Sequence, residues 1–90
     1  MAKVNVDPVE LRRFARDLNR FNCDLQDLMS SLHSRLQNLE KTWTDQEQRK
    51  FMQEFDITMK TLGHFIETSG QHVSFLTKKA HHIEQYLNQR

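Results

Sequence analysis

The five histidines raise the first chemical question. His81, His82 and Glu84 crowd into four residues, while His33, His64 and His72 are spread through the rest of the chain. Imidazole and carboxylate bind first-row metals, but helical sites pair ligands at i and i+4 or set Glu-x-x-His motifs on facing helices. Adjacent His81 and His82 point about 100° apart on a helix, so neither a metal nor another cofactor is expected. Catalysis requires a concave pocket with convergent titratable groups. The chain offers no Gly-rich loop, no nucleophile turn and no paired buried carboxylates, which points to a non-enzymatic protein. The lone Cys23 cannot form an intrachain disulfide and falls opposite the apolar seam described below, which suits an inert thiol. Arg12, Arg16 and Arg20 stand at i, i+4 and i+8 with Arg13 beside them, a stripe able to grip phosphates. Asp17, Asp24 and Asp27 cancel much of that charge, so a solvated face with local ion pairs is the expectation.

The remaining conspicuous side chain is Trp43, the only tryptophan. A tryptophan at a tight corner buries a large surface that the corner can cover only in part. It is either a plug or a recognition site, since Trp is enriched among residues that dominate interface energy.

The elements that position these residues follow from length and pattern. Ninety residues with 13 Lys+Arg against 12 Asp+Glu, a formal charge of +1, make one small domain without the basic excess expected for binding nucleic acid or an acidic membrane. No run of about 18 apolar residues offers a membrane span, and the start around Lys3 and Asp7 is too polar for a secretory signal. The expectation is a protein that begins as a soluble cytoplasmic chain, with no direct membrane insertion and no nucleic-acid partner.

Asp7-Pro8-Val9-Glu10 reads as a helix start, with an acceptor at the cap, proline in the first turn and an acid three residues on. Residues 1–6 precede it as a short tail. Apolar residues at 11, 14, 18, 21, 25, 28, 32, 39 and 43 alternate by threes and fours, and Ala15, Met29, Leu36 and Trp43 form a second column. Thr44-Asp45-Gln46-Glu47 is a second start, with Thr44 or Asp45 as cap. Beyond it Phe55, Leu62, Leu76 and Ile83 share one sevenfold column; Met52, Met59, Ile66, Val73, Ala80 and Leu87 form another, and Phe51, Phe65 and Tyr86 a third. Gly63 and Gly70 each cost about 1 kcal/mol relative to Ala in a helix, and Ser69-Gly70 marks either a bend or a close crossing. The fold class is all-α: an antiparallel two-helix hairpin over 1–90, with helix 1 at about 8–42, a corner at 43–45 and helix 2 at about 45–88.

Two antiparallel helices hide one strip each, whereas these carry two or three apolar columns. The surplus calls for another copy or a related hairpin, giving a dimeric four-helix bundle. Its seam is assigned to Leu18, Phe21, Leu25, Leu28 and Leu32 on helix 1. Helix 2 contributes Phe55, Leu62, Phe65, Ile66, Val73 and Leu76. Polar interruptions at Arg35, Gln48, Thr58, Ser69, His72 and Lys79 lower stability but can fix register and partner choice.

A mid-chain Trp43-Thr44-Asp45 between two amphipathic helices resembles the WXG family of small type VII (ESX) secretion proteins, with Asp45 in place of the motif Gly. Glu47 lies two residues after that position, and Phe51 stands eight after the Trp, where the family favours an aromatic or apolar residue. Near the end, Tyr86 matches the family's Tyr-x-x-x-Asp/Glu export signal, with Arg90 in the acidic place. The resemblance implies a dimeric export substrate, or an adaptor or chaperone for a larger effector, that uses Trp43, Asp45, Phe51 and Tyr86 against partner or machinery. It further implies as partners the chain itself or a related hairpin, an effector and a secretion ATPase, and secretion without a cleavable signal peptide. The alternative is a structural or adaptor coiled-coil hairpin unrelated to secretion, in which Trp43 is only a plug and Tyr86 only an end aromatic.

Overall fold

A computed structural model of the chain describes residues 6–89; the first five residues, Lys3 among them, and Arg90 lie outside the described residues. Two helices, α1 (Pro8–Glu40) and α2 (Gln46–Asn88), run antiparallel as a hairpin of 69 × 19 × 14 Å. Asp7 caps α1 from an extended backbone, its Oδ1 accepting the Val9 amide at 2.9 Å, with Pro8 in the first turn. Both features follow from local sequence, since a cap oxygen satisfies an orphan amide and proline lacks one.

The first helix ends two residues earlier than its apolar pattern suggests. Lys41 and Thr42 donate their amides to the carbonyls of Asn38 and Leu39 in a tightened turn, and the Thr42 hydroxyl adds a bond of 3.2 Å to Leu39 O. These contacts satisfy carbonyls that a continuing helix would have used otherwise. The corner therefore spans 41–45. At its far side Asp45, not Thr44, caps α2, accepting the Gln48 amide at 3.0 Å with φ −83°. No described residue has positive φ, so an Asp stands at the glycine position of the motif without backbone strain.

Between the helices, Leu11, Ala15, Leu18, Asn22, Leu25 and Met29 of α1 are buried or half-buried, as are Met52, Phe55, Met59, Leu62, Ile66 and Ser69 of α2. The spacing alternates by threes and fours on both helices, as in a coiled coil. Phe14, Phe21 and Leu28 sit outside this strip with roughly half or more of their surface exposed, and the strip runs instead through Ala15, Asn22 and Met29. Ala15, Asn22, Ser69 and Ala80 are the residues buried most fully in this strip. Gly63 and Gly70 lie inside the continuous helix α2, and a Cβ added at either would meet nothing within 4 Å. The buried member of the Ser69-Gly70 pair is Ser69.

Candidate functional site

The corner is organised by one carboxylate oxygen. Trp43 Nε1 donates to Asp45 Oδ1 at 2.9 Å, and the same oxygen accepts the Gln48 amide. One side chain thus caps α2 and orients the indole. The half-buried Trp43 ring lies 5.5 Å from the Phe51 ring, which stacks at 5.6 Å on Phe55, separations at which aromatic pairs attract. Beside this stack runs an open groove of about 510 Å³ lined by Trp43, Glu47, Lys50, Phe51 and Glu54. On the other side of Phe51 lies a smaller groove of about 200 Å³, walled by Leu32, Leu36, Leu39 and Phe55 with Arg35 at its edge.

The corner brings together three of the four residues assigned to partner contact: Trp43, Asp45 and Phe51. The fourth, Tyr86, is exposed near the end of α2, at the opposite end of the 69 Å rod. The assigned bundle seam splits into two groups. Leu18, Leu25, Phe55, Leu62, Ile66, Val73 and Leu76 are half-buried between the helices, whereas Phe21, Leu28, Leu32 and Phe65 are exposed. Phe21 and Phe65 meet edge to face at 6.3 Å, which sets the exposed columns of both helices on one side of the hairpin. Phe14, Phe21, Leu28, Phe51 and Phe65 form a broad apolar face there.

The opposite side is polar. Arg12 of α1 grips Glu84 of α2 through two bonds, Nε to Oε2 at 2.9 Å and Nη2 to Oε1 at 2.6 Å, with each side chain about one-third exposed. These hydrogen bonds hold the Glu84 carboxyl below the ordinary carboxylate range and raise the guanidinium, against the opposing effect of partial desolvation; the nearby Arg12 and His81 charges add to the fall at Glu84. The stripe Arg12, Arg16, Arg20 is therefore broken at its first member. This pair joins residues 72 apart in sequence, and nothing in the local pattern signals it. Asn22 also escaped the pattern, whereas the pattern places Ser69 at a seam position; both are buried in the seam, with both Asn22 amide atoms and Ser69 Oγ lacking a hydrogen-bond partner.

Among the described residues no group of three His, Cys, Asp or Glu is placed to hold a metal, and no helix is long and apolar enough to cross a membrane. The rings of His81 and His82 stand 6.3 Å apart and tilted by 47°, and Cys23 is exposed.

Comparison with known proteins accords with this architecture. The secreted protein EsxB of Bacillus anthracis str. Sterne, known from its crystal structure, matches with a TM-score of 0.81 at 22% identity, over 100% of this chain and 99% of that one. At this identity the likeness concerns the fold. No curated protein matches the chain. The family model WXG100, proteins of 100 residues with WXG, matches residues 3–86. Since that match runs through both helices and the Trp43 corner, the chain belongs to the WXG100 family, with Asp45 where the motif has glycine.

Proposed function

We propose that this protein is a non-enzymatic substrate-type component of a bacterial type VII (ESX-like) secretion system, working as one half of a four-helix bundle. It is exported itself or accompanies a larger effector as adaptor. The single observation that carries this proposal is the two-sided hairpin: a polar side closed by Arg12–Glu84, and an apolar side with Phe14, Phe21, Leu28 and Phe65 in water. Monomers rarely leave such a contiguous patch uncovered, and another hairpin of the same shape covers it by helix packing. Membership of the WXG100 family and a fold shared with a protein described as secreted support the export role.

Trp43, held by Asp45 and backed by Phe51, is the contact offered to partner or machinery at one end, and Tyr86 is the contact at the other. The test is Trp43→Ala in a host with a type VII apparatus, followed by helicity and association in vitro and by secretion into the medium. Loss of secretion with the helices and association intact supports the proposal. A fall in thermal stability alone, with secretion unchanged, assigns Trp43 to plugging the corner of a structural hairpin.

A further inference from the structure

We infer that the partner covering the apolar face is a related hairpin with basic rims, not a second copy of this chain. This inference rests on the proposal that another hairpin covers the face, and it concerns which one.

The boundary of the face is acidic on both helices. Glu10, Asp17 and Asp24 recur every seven residues beside Phe14, Phe21 and Leu28, each three or four residues from its apolar neighbours. On α2, Glu47 and Glu54 flank Phe51 at the same spacings, and both line the open groove beside Trp43. Residues three and four apart adjoin on a helix surface, so these five exposed carboxylates border the face along its outer edges. The same columns continue through Ser31 and Asn38 on α1, and through Thr61, Thr68, Phe75 and His82 on α2. They contain no lysine or arginine.

Charged side chains along such rims choose partners in helical bundles, by attraction to one and repulsion from another. A second copy can oppose these carboxylates only with rim columns that are themselves acidic or uncharged apart from His82, whichever of its helices lies across. Arg13 and Arg20 of α1 and Lys50 and Lys78 of α2 stand one column farther out, turned from the face, and Arg13 already pairs with Glu10 at 3.0 Å. Arg35 and Lys79 fall inside the apolar columns, two cations against the four rim carboxylates that the Arg13–Glu10 pair leaves unpaired. Asp17, Asp24, Glu47 and Glu54 form no ion pair among the described residues. A hairpin with Lys or Arg along its rims would convert the whole border into attractive contacts.

The test uses the intact chain and a basic-rim version of it, Asp17→Lys with Asp24→Lys, as the probe partner; both sites are exposed, and circular dichroism checks the helices. Sedimentation equilibrium at about 50 mM salt is expected to show the mixture associating about tenfold more tightly than the unmodified chain alone. Raising salt to about 0.5 M should strengthen self-association of the unmodified chain several-fold, as like-charge repulsion is screened. A second probe, Glu47→Arg with Glu54→Arg, repeats the comparison from α2. Self-association as tight as the mixture, or weakened by salt, overturns the inference and leaves the bundle in place. Absence of association in every mixture overturns both.

Discussion

Asp45 links backbone and side-chain order at the corner, because one oxygen receives both the Gln48 amide and the Trp43 indole. Removing a cap acceptor costs about 1 kcal/mol, whereas glycine in the same place costs only a few tenths. Asp45→Ala is therefore expected to lower stability to denaturant by about that amount, and Asp45→Gly by less. Both should free the indole, and since Trp43 is the only tryptophan, its emission reports the change directly. Emission unchanged in both variants would show that packing on Phe51, and not the hydrogen bond, sets the ring. Asp7 and Asp45 were legible as candidate caps because a cap acts within three residues. The indole bond was not legible: either Thr44 or Asp45 fits the start of α2, and only the chain's actual path brings the carboxylate under Trp43.

At the scale of the helices, the sequence carries the coiled-coil period but leaves open which columns pair. Phe14, Phe21 and Leu28 satisfy the same alternation as Ala15, Asn22 and Met29, and the choice is made by what lies opposite. The seam takes in Ala15, Asn22, Ser69 and Ala80, with Asn22 at 6% exposure, while Phe14 and Phe21 stay outside it. That is a tertiary effect, as is Arg12–Glu84, which ties the first turns of α1 to the last turns of α2. The sign of its pH dependence follows from the depressed Glu84 pKa. Its contribution to stability is fully present above the unfolded-state value for glutamate, about 4.3, and is lost as pH falls through the lower folded-state value. Glu84→Gln should thus lower the melting temperature at neutral pH, with the gap to the unmodified chain closing as pH falls below about 4. A gap that stays constant down to pH 3 would mean that the pair holds the helices by shape alone.

For the whole molecule, the decisive property is that its two long sides differ. The polar side is complete in itself, with Arg12 and Glu84 satisfied across the helices. On the apolar side Phe21 and Phe65 meet each other edge to face yet stay about half exposed, at 52% and 47%. Full burial of such a side chain is worth roughly 1.5–3 kcal/mol, so burying the exposed half of each against a partner yields about half of that, and every 1.4 kcal/mol is about a tenfold change in affinity. Phe21→Ala with Phe65→Ala should therefore weaken association with any partner hairpin by at least about tenfold. Asn19→Ala, on the polar side near Arg12, should leave association unchanged. The seam within each hairpin contains neither phenylalanine, so the double variant should remain helical by circular dichroism as its mass in sedimentation moves toward the 10.8 kDa of one chain. Equal effects from the two sides of the rod would mean that the partner grips the hairpin at its ends, by Trp43 or Tyr86, and that the apolar face stays in water.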